Sequence, residues 1–260
     1  MIDATVITQV RNGVCAVGYL TVTLHEYRQD FTKPFFKVLG TGFLVREWTV
    51  ITNRHVIQSL FESQADLGFD ESQFFVSFVV YSIGAKPRAV VRMIRKFGLV
   101  ENEDLDVGFL DFSAVNTAAI AGIAPLRLVS APEVSVSEEV AVCGYPYGTS
   151  MLTKAGRVYR WGPVIQQGSI SGVSPFDTAD APTELLLDVR TAPGMSGAPI
   201  FRPSSGDVIG IHHSTWEFTT AVGLPLTAQV VSNWLARYDE QPSEPDHGQS
   251  GPGRIDFASS

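Results

Sequence analysis

The sequence predicts an all-β protein in two halves, followed by a single helix. Three observations carry that prediction. Short runs rich in Val, Ile, Leu, Thr and Phe recur along the 260 residues, with turn residues between them. One stretch alone, 227–238, has helical spacing, with Val230, Val231, Trp234 and Leu235 on one face. A small-residue passage at 116–126 reads as a linker between a first domain, 1–115, and a second, 127–238. Barrels and a sandwich both satisfy this pattern.

In the first half, 16–24 alternates in hydrophobicity, and 37–45 carries Gly40-Thr-Gly42 before Phe43-Leu-Val45. A strand at 48–52 follows, with Arg46-Glu47 as a tight connection. Strands at 74–83 and 89–94 are divided by Gly84 and Pro87, and 107–112 closes the half. In the second half, 139–143 leads into a turn, Gly144-Tyr-Pro-Tyr-Gly148, and strands follow at 156–161, 164–172 and 184–189. Residues 200–201 and 208–212 make a hairpin, with Gly206-Asp207 suited to its turn, and 221–226 is the last strand. Residues 239–260 turn to Pro, Ser, Gly and Gln, a disordered tail or a linker to something further.

Bulk composition narrows the function classes. Hydrophobic residues make up 45% and charged residues 18%, enough to bury a sizeable core. Lys plus Arg is 19 against Asp plus Glu 27, a net charge of −8, which weighs against nucleic acid or an anionic membrane as partner. The best apolar stretch, 112–126, is too short to span a bilayer and carries Ser, Asn and Thr. No basic region precedes an apolar core at the N-terminus, so the expected location is the cytoplasm, with a trimmed secreted form as the alternative. The two cysteines, Cys15 and Cys143, sit in apolar runs and are expected as buried free thiols. No His/Cys/Asp/Glu spacing fits a metal site, and no cofactor is expected.

The chemistry-bearing stretch is Thr191-Ala-Pro-Gly-Met-Ser-Gly-Ala-Pro-Ile-Phe201, which sets Ser196 between glycines and braces it with prolines. Backbone N–H groups of Gly194 and Ser196 at such a turn can aim at one point and stabilise an oxyanion. The bland alternative is a strand-to-strand turn. For a general base, His55 stands at the end of Trp48-Thr-Val-Ile-Thr-Asn-Arg-His-Val56, where an apolar strand gives way to polar residues. His25 and His247 are better read as solvated. Asp106 heads Asp106-Val-Gly-Phe-Leu110 and is preferred over Asp104 and Asp111 as orienting carboxylate, because a strand core lies directly behind it. A buried Asp must be hydrogen-bonded, and an imidazole N–H supplies that bond.

The segments Gly40-Thr-Gly-Phe-Leu-Val45, Thr52-Asn-Arg-His-Val56, Asp106-Val-Gly-Phe-Leu110 and Gly194-Met-Ser-Gly-Ala-Pro199 resemble the chymotrypsin-like (trypsin-like) serine peptidases. The nearest branch is the disulfide-free bacterial one, the glutamyl endopeptidases and high-temperature-requirement proteases. The resemblance implies two six-stranded antiparallel β-barrels of chymotrypsin type, a C-terminal α-helix, and a cleft between the barrels. It implies a triad of His55, Asp106 and Ser196, an oxyanion hole from the Gly194 and Ser196 N–H groups, and a protein or peptide substrate. Met195 departs from zymogen-type members, which carry an Asp there to pair with a new N-terminus. Other contacts, or a regulatory partner, must therefore order the loop.

The family's primary specificity pocket maps onto Arg190, Thr191, His212, Ser214 and Thr215. Thr191 and His212 match positions that bind an acidic side chain in glutamyl endopeptidases, so a preference for Glu or Asp before the scissile bond is expected. Ser214-Thr215 departs from the family's aromatic or glycine followed by glycine, and its bulk is expected to narrow the pocket toward small residues. His213 follows on the opposite strand face, where a purely structural role is expected over packing toward Asp106. Two other function classes compete. One is a catalytically silent chymotrypsin-fold module that binds peptides, which the intact triad weighs against. The other is an α/β-hydrolase esterase, which would need a different residue order and alternating helices.

Overall fold

The computed structural model describes residues 2–29, 35–82, 84–112, 121–131, 133–148, 162–176, 182–216 and 220–240. The strands are β1 Val14–Leu20, β2 Phe36–Arg46, β3 Thr49–Thr52, β4 Phe74–Val80, β5 Arg88–Leu99 and β6 Gly108–Phe112, then β7 Glu139–Gly144, β8 Val164–Ser174, β9 Glu184–Leu187, β10 Pro199–Phe201, β11 Val208–Trp216 and β12 Thr220–Pro225. They close into two six-stranded antiparallel barrels, in the order β1-β2-β3-β6-β5-β4 and β10-β11-β12-β9-β8-β7. The predicted strand at 156–161, the linker's first part and residues 241–260 of the tail lie outside the described residues, while Asp239 and Glu240 belong to the C-terminal helix and not to the tail.

Every residue of β1 is buried, and so is every residue of β4. Each strand has two dry faces. Cys15, Val17 and Tyr19 enter the core of the first barrel, while Val14, Ala16 and Leu20 join a second core. That second core also takes Ala141, Cys143, Tyr145 and Phe201 from the other barrel, so it is the contact between the barrels. A strand buried on both faces reads as a continuous apolar run. Both cysteines are buried and free, in different cores, as expected.

The helical content is larger than the sequence pattern indicates. Besides the C-terminal helix there are α1 Ala4–Gly13, α2 Leu24–Gln29 and α3 Arg54–Leu67; the C-terminal helix is therefore α4, Ala228–Glu240. The predicted strand 16–24 ends at Leu20, because Thr23 and Glu26 form a reciprocal cap that starts α2: Thr23 N–H donates to Glu26 Oε2 at 2.9 Å and Glu26 N–H to Thr23 Oγ1 at 3.2 Å. In α3 only Val56, Ile57 and Leu60 are buried, too narrow a stripe to stand out from the polar residues around it. The buried stripe of α4 is Val231, Leu235 and Tyr238, while Val230 faces outward at 37% exposure. Among the described residues no helix is long and apolar enough to cross a membrane.

Candidate active site

β3 and the first turn of α3 set the histidine. Thr52-Asn53-Arg54 precede His55, and each of the three holds a different part of the site. Thr52 Oγ1 donates to the Thr41 carbonyl at 2.6 Å. The fully buried Asn53 donates from Nδ2 to the Asp106 carbonyl at 2.8 Å. The Arg54 guanidinium donates to the carbonyls of Leu105, Val100 and Asn102, pinning the loop that delivers Asp106.

One carboxylate then makes two bonds to one residue. Asp106 Oδ1 accepts the His55 backbone N–H at 2.9 Å, and Oδ2 lies 2.6 Å from His55 Nδ1. The first bond satisfies an orphan donor in the opening turn of α3, where a negative charge also meets the positive end of the helix dipole. The second fixes the ring. A carboxylate only accepts, so Nδ1 carries the proton and Nε2 is left as acceptor. Burial pushes the Asp106 carboxyl up, but the side-chain and backbone bonds from His55, with His55 and His213 close by, outweigh it and hold the group below its usual range. Asp104 is exposed, and Asp111 instead accepts from Thr49 Oγ1 at 2.6 Å.

The serine loop comes against this corner through Gly40. A Cβ there would stand 2.6 Å from Val56 Cγ2 and 3.2 Å from the Ser196 carbonyl, so the residue after His55 and the serine meet over one glycine. Gly197, at φ +87°, is equally constrained: a Cβ would lie 2.0 Å from the Thr41 carbonyl.

Five consecutive carbonyls of the loop are spoken for. Ala192 O accepts from Met195 N–H at 3.1 Å, and Pro193 O from Tyr147 N–H at 2.5 Å. Gly194 O accepts from Thr41 Oγ1 at 2.7 Å, Met195 O from Ala198 N–H at 2.9 Å, and Ser196 O from Thr41 N–H at 2.8 Å. In a trans peptide the C=O and the following N–H point to opposite sides. Pinning Pro193 O therefore turns the Gly194 N–H the other way, and pinning Met195 O does the same for the Ser196 N–H. Among the described residues neither of those two N–H groups has an acceptor. Met195 is fully buried in the second barrel's core and anchors the loop by packing, where an ion pair would need an Asp.

The predicted pocket residues are partly assembled. Thr191 Oγ1 and Thr215 Oγ1 are 2.6 Å apart. Arg190 is exposed, and Ser214 lies beyond a bulge in β11 that follows His212. His212 is 2% exposed, its Nδ1 lies 3.0 Å from the Val222 carbonyl, and burial pulls its imidazole down to about 4. A carbonyl only accepts, so His212 Nδ1 is the donor and its Nε2 is unprotonated at neutral pH. Burial also lowers His213, against the pull of Asp106 and Glu184. Among the described residues no group of His, Cys, Asp and Glu could hold a metal ion.

The sequence profile of the trypsin-like peptidase domain matches residues 40–211. This chain belongs to the trypsin-like serine peptidases. A curated relative, the probable periplasmic serine endoprotease DegP-like of Ectopseudomonas mendocina (strain ymp), is 29% identical over 175 residues, 67% of this chain. The peptidase chain spans only 29% of that relative's length. Among solved structures, Rv3671c from M. tuberculosis H37Rv in its inactive form superimposes with a TM-score of 0.53, covering 93% of this chain and 97% of that one. At 17% identity that likeness concerns the two-barrel fold of the peptidase and nothing finer.

Sequence reasoning missed Thr41, Thr52, Asn53, Arg54 and Tyr147 as parts of the peptidase's site. The motif Thr52-Asn-Arg-His carried a signal for three of them, as a polar cluster closing an apolar strand. Thr41 and Tyr147 lie inside segments the sequence picked out, but nothing local marked their bonds to the serine loop, whose residues lie far away in the chain.

Proposed function

We propose that this chain is a serine endopeptidase working through Ser196, His55 and Asp106. Ser196 Oγ attacks the scissile carbonyl while His55 Nε2 takes its proton. The oxyanion of the tetrahedral adduct is met by the Gly194 and Ser196 N–H groups. The adduct collapses to an acyl-enzyme as His55 returns the proton to the leaving amine, and water then repeats the steps on the ester. Asp106 holds the tautomer and stabilises the imidazolium. The cleft between domains 1–115 and 127–238 would receive an extended protein segment. The observation that supports this reading is the serine loop, whose five carbonyls from Ala192 to Ser196 are all bonded while the Gly194 and Ser196 N–H groups have no acceptor among the described residues. A silent peptide-binding module would have no need of such a loop. The two unpaired thiols favour a reducing compartment, the cytoplasm, as the place of action.

A serine-directed fluorophosphonate should label Ser196 alone, and Ser196→Ala should abolish peptide hydrolysis while the fold stays intact. Label at another serine, or hydrolysis undiminished in the variant, would reject the assignment.

For specificity we propose Glu or Asp before the scissile bond, with Thr191, Thr215 and His212 as the recognising groups and Arg190 and Ser214 at the pocket's border. Because His212 Nδ1 is committed to Val222, a substrate carboxylate needs a proton on Nε2. Selectivity for Glu over Ala, read as a ratio of kcat/KM on matched peptides, should rise as pH falls from 8 toward 6, since protonation competes with burial at about 4. A flat ratio, or preference for Ala, Phe or Arg, would make His212 a packing residue.

A further inference from the structure

Thr41 is fully buried in β2 of the first barrel, and every polar atom it owns is used. Its N–H donates to the Ser196 carbonyl at 2.8 Å and its carbonyl accepts from Thr52 Oγ1 at 2.6 Å. Its hydroxyl donates to the Gly194 carbonyl at 2.7 Å and accepts the Tyr145 N–H at 3.0 Å. A hydroxyl has one proton to give and lone pairs to receive, and both capacities are matched. The two hydroxyl partners lie 153 and 104 residues away, both in the second barrel. Gly144 makes room for the approach: a Cβ on it would stand 2.9 Å from Thr41 Oγ1.

We propose that the Thr41 hydroxyl is a positioning group of the oxyanion hole, reaching across from one barrel to hold the Gly194 peptide of the other. The inference rests on Ser196 being the nucleophile. Without the hydroxyl, the part-buried Gly194 O is left unpaired, a desolvated acceptor with nothing to offset its loss of water. Gly194 is the loop residue best able to escape that cost, because it already sits at φ +94° and has no Cβ to restrict it. Rotation of the Gly194–Met195 peptide relieves the carbonyl, but it also breaks the Met195 N–H bond to the Ala192 carbonyl and loosens the turn that keeps Gly194 N–H in line with Ser196 N–H. The Thr41 backbone bonds to Ser196 and Thr52 do not involve the hydroxyl, so the serine and histidine stay in place while the hole loosens.

Thr41→Val keeps the branched shape and removes the hydroxyl. Its kcat should fall roughly 10- to 100-fold with KM within about threefold of wild type, short of the 10²–10³ seen when an oxyanion donor is deleted outright. A peptide boronic acid, which mimics the tetrahedral adduct, should lose affinity in parallel with kcat/KM. Thr41→Ser should restore most of the loss, and Thr41→Cys, with a weak donor, should fall between Ser and Val. The Ser and Cys variants keep the test open if Val does not fold. The proposal is overturned if folded Val or Cys retains kcat within threefold of wild type, if Ser fails to rescue, or if the loss appears in KM with boronate affinity unchanged. Wild-type enzyme that neither hydrolyses peptides nor takes fluorophosphonate at Ser196 would instead overturn the reading of the nucleophile, and this proposal with it.

Discussion

Asp106 serves two structures at once, since one oxygen caps the α3 backbone and the other orients the imidazole. Asp106→Asn should lower turnover on the order of 10⁴-fold, because the amide can donate to Nδ1 and stabilise the wrong tautomer. Asp104→Asn, at an exposed position, should change little; steady-state kinetics on the two variants separates them. His212 makes a different prediction. Its folded pKa, about 4, lies below the ordinary value of 6.5, so the unfolded chain binds the extra proton between those limits. Stability is therefore intact above pH 6.5 and drains away as pH falls toward 4, by about 3 kcal/mol if the site stays closed. Urea unfolding across that window should show the slope, and His212→Asn, which keeps a donor for Val222 without a titrating ring, should flatten most of it. His213, also lowered by burial, adds a smaller slope of the same sign.

At the scale of elements, the strands were legible and three helices were not. β-runs announce themselves by apolar content even when both faces are buried. α3 hides its three buried residues among polar ones, and α2 is marked only by the Thr23–Glu26 cap. Asp106 could be picked out among its acidic neighbours because a carboxylate set directly before a buried apolar strand needs a partner. The roles of Thr41 and Tyr147 could not, because they exist only once the second barrel has closed against the first. α4 shows how magnitudes sort its contacts. It follows the second barrel yet docks on the first, through Arg46 to Asp239 at 2.6 Å, Lys96 Nζ to the Tyr238 carbonyl at 2.9 Å, and Tyr238 against Phe109. The Arg46–Asp239 pair is half-exposed and should contribute under about 1 kcal/mol. Tyr238 is buried at 3% exposure, and Tyr238→Ala should cost about 3 kcal/mol by the measure of buried aromatic truncations. Denaturant midpoints of Tyr238→Ala and Asp239→Ala should rank in that order.

Across the whole molecule, the two barrels share a core, and the serine loop is held from both. Thr41 links the β3–α3 corner through Thr52 to the serine loop through Ser196 and Gly194, so the site's geometry depends on how the barrels are seated. The doubly buried strand β1 carries a further meaning for how the chain folds. Each barrel closes its own hydrogen-bond ladder and looks like a module that could be moved, swapped or expressed by itself. Yet Val14, Ala16 and Leu20 find dry surroundings only when Ala141, Cys143 and Phe201 are present. Removing either half would leave its companion with a broad greasy wall facing water, an invitation to aggregate. The halves are thus two closed shapes but one cooperative folding unit, joined by the seam between them.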